Sequence, residues 1–134
     1  MICLDTDVAS AIMRPGGGPP ALGRRLGTVE AKSQYTTAIT AGELLYGARK
    51  RRSERLERDI DRLLRGEIQV AGFDEAAARA YAEIRVELEA AGQPLDDADL
   101  RIAAICVSRD FTLVTGNARH FERVPGLRVE NWLE

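Results

Sequence analysis

The fold is decided at the N-terminus, where the sequence reads Met1-Ile2-Cys3-Leu4-Asp5-Thr6-Asp7. Residues 1–4 form a short apolar run that ends abruptly at two acidic residues, which is typical of a buried strand that ends in a polar turn. The apolar residues at positions 8, 9, 11, 12 and 13 fit the period of a helix better than the alternation of a strand. The first unit is therefore predicted as strand, turn and helix.

The same order of strand and helix recurs along the chain. Residues 35–38 predict a strand, and the Thr40-Ala41-Gly42-Glu43 that follows is a capping-box pattern, which predicts that a helix begins there. Alternation of this kind predicts an α/β fold, with a parallel central β-sheet flanked by α-helices on both faces. A loop is predicted over 14–20, and helices are predicted over 21–29 and 53–65. Two further helices are predicted, one from the cap Asp74 to about 92 and one from the cap Asp96 to about 107. The remaining strands are predicted over 68–73, 111–115 and 127–129.

Composition places the chain among globular proteins. Of its 134 residues, 45% are hydrophobic and 30% are charged, which excludes the core-poor composition of disordered proteins. A single domain over residues 1–134 is expected. No apolar run approaches the roughly 18 residues that could cross a bilayer, and the N-terminus lacks the regions of a signal peptide, so a cytoplasmic location without membrane contact is expected. Cys3 and Cys106 are expected as reduced, buried thiols.

Polar side chains follow the predicted strands at the ends where an open α/β sheet binds its ligands. Asp5 and Asp7 follow the first strand, Glu43 follows the second, and Asn117 follows the strand over 111–115. Carboxylates from separate elements repel one another unless a cation lies among them. Because hard oxygen ligands suit Mg²⁺ or Mn²⁺, and Mg²⁺ also accepts phosphate oxygens, the pattern predicts hydrolysis of a phosphodiester bond by an activated water.

Three further acids open the helix that follows residue 96. Of Asp96, Asp97 and Asp99, one is expected to cap the helix, one to face solvent and one to enter the site. Asp99 is favoured for the site, because it shares a helix face with Ala103 and Cys106.

Each acidic candidate also has a structural alternative, because the start of a helix favours acidic side chains without any metal. The alternative for Glu43 is the fourth place of the capping box, and the alternative for Asp7 is the N-cap of the first helix. For Asn117 the alternative is a turn residue.

Four motifs span the chain: CLDTD at 3–7, TAGELLYG at 40–47, DDADLRIAA at 96–104 and VTGNARHF at 114–121. Together with the ending PGLRVENW at 125–132, they resemble the PIN-domain toxins of the VapC type. The resemblance implies a PIN fold, endoribonuclease activity that depends on Mg²⁺ or Mn²⁺, and a homodimeric toxin. It also implies a cognate VapB-type antitoxin whose tail enters the active crevice, and a toxin–antitoxin complex that binds operator DNA through the antitoxin.

By position, the resemblance implies that Asp5, Glu43 and Asp99 are the catalytic acids that hold the metal. Asn117 stands where many PIN domains have a fourth acid, and this departure bears on the binding of a second ion. Asp7 stands where related toxins commonly have Asn. Asp7 and Asn117 are therefore kept as further candidate ligands.

Basic residues are the candidates for holding an RNA substrate, because their charge meets the phosphates. The net charge is −2, yet 17 of the 19 basic residues are Arg. Arg49, Arg51, Arg52 and Arg119 are the predicted RNA-binding residues, and the alternative for residues 49–65 is a solvated face neutralised by acids at helical spacing. The other candidates are Arg24, Arg25 and Arg101.

The lone histidine and two aromatic residues are expected to have no part in catalysis. His120 lies in a predicted loop and is expected to be incidental, because an activated water needs no histidine base. Trp132 and Phe121 are expected to pack under the edge of the sheet.

Two rival functions are compatible with parts of the sequence. An Asp-x-Asp after the first strand is also found in haloacid-dehalogenase-like phosphatases, but Ala9 replaces their usual Thr or Val and no lysine follows Lys50. The second rival is a degenerate PIN module that binds RNA or an antitoxin without cutting. The three retained acids argue against this rival.

Overall fold

A computed structural model describes residues 1–134 and contains five short strands. They are β1 (Ile2–Leu4), β2 (Gln34–Thr37), β3 (Gln69–Ala71), β4 (Thr112–Val114) and β5 (Arg128–Glu130). The strands form one sheet in the order β3-β2-β1-β4-β5, and every neighbouring pair is parallel. This confirms the predicted parallel sheet and places β1 at its centre.

Seven α-helices connect and cover the strands. They are α1 (Thr6–Met13), α2 (Pro20–Leu26), α3 (Ala38–Lys50), α4 (Glu54–Arg62), α5 (Glu75–Ala90), α6 (Asp97–Arg109) and α7 (Ala118–Phe121). A 3₁₀ turn at Ala31–Ser33 precedes β2, and a π-helical turn at Leu63–Glu67 continues α4. None of the helices has the length and apolar composition needed to cross a membrane.

The two faces of the sheet bury separate hydrophobic clusters, because successive side chains of a strand point to opposite faces. Cys3 belongs to the cluster formed with α5 and α6, whereas Ile2 and Leu4 pack with residues of α1, α2 and the C-terminal segment. Helices therefore flank the sheet on both faces, as the sequence predicted.

The buried residues that the sequence singled out lie in these clusters. Phe121 is fully buried in the cluster of α5 and α6, and Trp132 is buried in the opposite one, which confirms the expected packing of both. Cys3 and Cys106 are both buried free thiols, as expected. The interaction with the Cys3 thiol, followed by burial, holds the pKa of the Cys106 thiol well above its usual value.

The predicted start of the third helix is wrong by two residues. Helix α3 begins at Ala38 rather than Thr40, and its N-cap is Thr37, whose hydroxyl accepts a hydrogen bond from the amide of Thr40 at 3.0 Å. The threonine at the end of β2 provides the cap earlier than the capping box could. Glu43 consequently lies inside the helix and is not a capping residue.

Other predicted boundaries differ in smaller ways. Asp5, not Asp7, is the N-cap of α1, and its side chain accepts from the amide of Thr6. The α-helical part of the segment predicted over 53–65 ends at Arg62, where the π-helical turn takes over and includes Gly66. The last strand runs one residue later than predicted, and His120 lies in α7 rather than in a loop.

Candidate metal centre

The candidate site lies where β1, β2 and β4 end. Strand β1 has β2 on one side and β4 on the other, so the chain leaves these strands toward opposite faces and opens a crevice at their carboxyl ends. Asp5 directly follows β1, Thr37 ends β2, and Thr115 directly follows β4. The sheet thus brings three stretches that are distant in sequence to one edge.

Asp5 is the most deeply placed carboxylate of the crevice. It is only 7% exposed. Its Oδ2 accepts a hydrogen bond from the Thr115 hydroxyl at 2.7 Å, and its Oδ1 accepts from the amide of Thr6 at 2.8 Å. Burial raises the pKa of Asp5 above its ordinary value, and these two hydrogen bonds oppose that rise. The carboxylate is therefore fixed in orientation while its negative charge is left partly uncompensated.

Glu43 is held in place by two threonines of neighbouring elements. The Thr6 hydroxyl donates to Oε1 of Glu43 at 2.8 Å, and the Thr40 hydroxyl lies 3.1 Å from the same Thr6 oxygen. Because Thr37 caps α3, the Glu43 carboxylate is free to make this contact with α1. The exposed side chain of Glu43 thus points toward the end of β1 and not toward its own helix start.

The three acids at the start of α6 make different contacts. Asp96 is the N-cap and accepts from the amide of Asp99 at 2.9 Å. Asp97 accepts hydrogen bonds from the Tyr81 hydroxyl and, at 2.7 Å, from Arg101, which together lower its pKa. Asp99, which is half-buried, is the one that faces the crevice.

The pKa of Asp99 reflects its burial and its acidic neighbours. It is raised to about 7, first by burial, then by the charge and hydrogen bonding of Asp96, and further by the charges of Asp5 and Glu43. Like charges raise a carboxyl pKa only when they lie near one another. Asp5, which follows β1, and Glu43 of α3 therefore lie near enough to Asp99 of α6 for their charges to act on it, whereas the group of ligand atoms that all lie within 4.8 Å of one another belongs to Asp96, Asp99 and His120.

The donor set fits a hard divalent cation. It consists of carboxylate oxygens supplied by separate elements, and such oxygens are the preferred ligands of Mg²⁺ and Mn²⁺. A divalent ion among Asp5, Glu43 and Asp99 would offset the repulsion that raises the pKa of Asp99.

Asp7 lies at the same end of the sheet but makes a different contact. Its Oδ2 accepts a hydrogen bond from the amide of Gly116 at 2.9 Å, whereas its Oδ1 is buried without a hydrogen-bond partner. A Cβ at Gly116 would lie 2.6 Å from Oδ2 of Asp7 and 2.7 Å from Cδ1 of Leu133, so the ends of these two side chains would have to shift. Asp7 therefore ties α1 to the turn after β4.

The turn after β4 positions the remaining polar candidates. The amide of Asn117 donates to the Thr115 hydroxyl at 3.0 Å, and the Asn117 residue itself is exposed. In the next helical turn, Nε2 of His120 lies 3.8 Å from Oδ2 of Asp99. His120, Asp99 and Asp96 each offer a ligand atom, and these atoms all lie within 4.8 Å of one another.

Four polar residues of this site were missed or underweighted by the sequence reasoning. Thr6 and Thr40 orient Glu43, Thr115 orients Asp5, and His120 stands beside Asp99. The signals for the threonines were the positions of Thr6 and Thr115 near strand ends and the place of Thr40 in the capping-box pattern. His120 gave no signal beyond its place three residues after Asn117.

The predicted RNA-binding arginines are in different environments. Arg49 forms an ion pair with Glu57 at 3.2 Å, which agrees with the alternative of a neutralised face. Arg51, Arg52 and Arg119 are exposed and form no ion pair. Of these three, only Arg51 lines the groove beside Glu43.

A groove of about 450 Å³ opens directly beside Glu43 and Thr6. Arg51 lines it together with Arg14 and Arg55, and its apolar wall includes Met13, Leu44 and Leu56. The groove therefore combines positive charge, apolar surface and one of the candidate acids.

Known proteins are similar to this chain over nearly its whole length. The PIN domain family matches residues 2–127. The tRNA(fMet)-specific endonuclease VapC of Shigella flexneri is 36% identical over 132 residues, which cover 96% of each chain. Ribonuclease VapC2 of Haemophilus influenzae is 39% identical over 107 residues, which cover 77% of this chain and 78% of the relative.

Solved structures agree with these relatives. The VapBC2 complex of Rickettsia felis bound to a DNA fragment from its promoter contains a chain with a TM-score of 0.89 and 29% identity, covering 98% of this chain and 99% of that one. The DNA-bound VapBC complex of Salmonella typhimurium contains a chain with a TM-score of 0.82 and 33% identity at the same coverage. With its parallel sheet and its acidic crevice, this chain belongs to the PIN-domain family, among the VapC ribonucleases of toxin–antitoxin systems.

Proposed function

We propose that this chain is a toxin endoribonuclease that hydrolyses RNA phosphodiester bonds with Mg²⁺ or Mn²⁺ held by Asp5, Glu43 and Asp99. The observation that supports the proposal is the pKa of Asp99, which is raised to about 7 by burial, then by Asp96, and further by the charges of Asp5 and Glu43. Such a concentration of negative charge at the end of a buried strand is costly unless a cation neutralises it. A metal-dependent nuclease would use that cation in its reaction.

The residues of this chain would prepare the site, and the ion would supply the chemistry. A bound divalent ion activates a water and neutralises charge on the phosphate as the bond breaks. Thr115 and Thr6 fix the two oxygens of Asp5 through their hydrogen bonds, and Thr6 also fixes Glu43. Because these partners are already in place, the carboxylates would need little reorganisation to receive the ion.

RNA would reach the acids along the groove beside Glu43. Arg51 lines this groove without an ion pair of its own, so its guanidinium is available to a phosphate. Arg119 is exposed on α7, close in sequence to Asn117, and would contact the strand on the other side of the crevice. Arg49 is a weaker candidate because it is already paired with Glu57. Arg52 is also a weaker candidate, because it does not line the groove.

The partners proposed for this chain are a VapB-type antitoxin and a second copy of itself. The solved relatives from Rickettsia felis and Salmonella typhimurium are complexes of VapB with VapC on DNA. An antitoxin tail in the groove would meet both its apolar wall and its arginines. We further propose that the chain acts in the cytoplasm as a homodimer, and that its complex with the antitoxin binds operator DNA through the antitoxin.

The test is incubation of the purified chain with total RNA in Mg²⁺, in Mn²⁺ and in excess chelator, followed by mapping of the new RNA ends. The initiator tRNA is the first defined substrate to add, because the Shigella flexneri relative is named for it. We expect discrete cuts that require metal and disappear in the Asp5→Asn variant. Asp97→Asn is the matched control, because the carboxylate of Asp97 accepts hydrogen bonds from Tyr81 and Arg101.

The other outcomes separate the rival functions. Cutting that persists in Asp5→Asn would point to a contaminant or to another site. Hydrolysis of p-nitrophenyl phosphate in place of RNA would indicate a phosphatase. Binding of RNA without cutting, in either metal, would indicate a degenerate module.

A further inference from the structure

His120 lies beside Asp99 on a short helix that packs against the core. Its neighbour Phe121 is fully buried, and the amide of His120 donates to the carbonyl of Asn117 at 3.1 Å, so the short helix that carries the imidazole is anchored on the core. The imidazole makes an edge contact with the Phe121 ring and forms no hydrogen bond. Both ring nitrogens are therefore uncommitted.

The spacing between His120 and Asp99 suits a shared ion better than a direct contact. The 3.8 Å between Nε2 and Oδ2 is too long for a hydrogen bond. Two donors that each lie about 2.1 Å from one divalent ion are at most about 4.2 Å apart. The observed distance of 3.8 Å falls within that limit.

We propose that His120 supplies a nitrogen ligand to the divalent ion held by Asp99, so that the centre contains an imidazole in addition to its carboxylates. This inference rests on the metal centre of the proposed function. It makes His120, in place of Asn117, the ligand contributed by the segment after β4. Asn117 lies three residues earlier and is exposed.

A nitrogen ligand changes which ions the site prefers. Imidazole binds transition ions more readily than it binds Mg²⁺, which favours oxygen ligands. We therefore expect His120→Ala to weaken Mn²⁺ binding by about tenfold or more, the range typical of lost metal-site partners, and to change Mg²⁺ binding much less. His120→Asp restores a donor but replaces nitrogen by oxygen, so it should shift the preference from Mn²⁺ toward Mg²⁺.

The decisive measurement is pulsed electron paramagnetic resonance of the Mn²⁺-loaded protein in the absence of RNA. The chain contains one histidine, so in a tag-free protein any imidazole ¹⁴N coupling to Mn²⁺ comes from His120. We expect this coupling in the wild-type protein and its loss in both His120→Ala and His120→Asp. Specific ¹⁵N labelling of histidine should change the coupling in the wild-type protein.

The possible failures are distinguishable. Bound Mn²⁺ without nitrogen coupling would overturn the role of His120 and leave the carboxylate centre intact. In that case His120 and Asp99 form only an ion pair when the imidazole is protonated. Failure of the wild-type protein to bind Mn²⁺ at all would overturn the proposed function together with this inference.

Discussion

Thr115 and Asp5 meet across the centre of the sheet, where the threonine hydroxyl donates to Oδ2 of the aspartate at 2.7 Å. The same hydroxyl accepts from the amide of Asn117 at 3.0 Å, so one buried oxygen ties the end of β1 to the turn after β4. This single contact links the orientation of a candidate ligand to the conformation of the segment that carries Asn117 and His120.

Replacing Thr115 by Val removes both hydrogen bonds while nearly preserving volume. We expect Mn²⁺ affinity to fall by about 10- to 100-fold, as is common when a partner that orients a ligand is lost. Leaving the amide of Asn117 without its buried acceptor should also cost about 1–3 kcal/mol of stability. Calorimetric titration with Mn²⁺ and chemical denaturation measure the two effects separately. Thr115→Ser keeps the hydroxyl, and a Ser variant as weak as the Val variant would count against the hydrogen bond as the cause.

Asp7 offers a buried oxygen without a partner, which keeps it a candidate ligand. Asp7→Asn retains an oxygen for the amide of Gly116 and removes the charge. A ligand role predicts that Mn²⁺ affinity falls by about tenfold, because the site loses one carboxylate charge. The measurement is the same calorimetric titration. An unchanged affinity would assign Asp7 solely to holding the turn at Gly116.

Gly116 is required by close approach and not by an unusual backbone angle. A Cβ at this position would lie 2.6 Å from Oδ2 of Asp7 and 2.7 Å from Cδ1 of Leu133. We expect Gly116→Ala to destabilise the protein by about 1–3 kcal/mol, the usual cost of overpacking. The comparison is Gly23→Ala in α2, where a Cβ would meet nothing within 4 Å and should stabilise the helix by about 0.5–1 kcal/mol. Equal unfolding midpoints for the two variants would contradict the close approach.

The raised pKa of Asp99 predicts how the stability of the metal-free protein changes with pH. The folded protein holds the Asp99 proton up to about pH 7, whereas an ordinary aspartate loses it near 3.8. The metal-free protein therefore gains stability from this group at low pH and loses that gain as pH rises from about 4 to about 7. Denaturation in chelator at several pH values should show the decline in wild type and a smaller one in Asp99→Asn. Parallel profiles would show that Asp99 titrates normally.

Metal binding should reverse that pH dependence, because a ligand carboxylate must release its proton. Below pH 7, calorimetric titration in buffers of different ionisation enthalpy should therefore show proton release on Mn²⁺ binding, and Asp99→Asn should release less. This release is a second check on the same raised pKa.

Much of the fold was predictable because it depends on local patterns. The apolar run ending at Asp5 predicted β1 and its turn, and the caps at Asp74 and Asp96 predicted the starts of α5 and α6. The start of α3 was mispredicted because two threonines compete for one cap. Thr37 lies at the end of β2, and the register of that strand, which depends on pairing with β1, decides between Thr37 and Thr40.

Asp5 and Asp99 could be proposed as site residues for the same reason, since Asp5 follows a strand and Asp99 lies in the first turn of a helix. The side chains that orient the candidate acids were not predictable, because their contacts depend on the packing of separate elements. Thr6 reaches Glu43 only because α1 packs beside α3, and no spacing in the sequence reveals that contact. His120 approaches Asp99 only because Phe121 anchors α7 on the core.

The central claim is that Asp5, Glu43 and Asp99 share one divalent ion, and calorimetric titration of RNA-free protein with Mn²⁺ tests it most directly. We predict that Asp5→Asn, Glu43→Gln and Asp99→Asn each weaken binding by about tenfold or more, whereas Asp97→Asn, on the same helix as Asp99, binds like the wild type. Wild-type affinity in the Asp5→Asn variant, or an equal loss in the Asp97→Asn control, would contradict a shared metal centre.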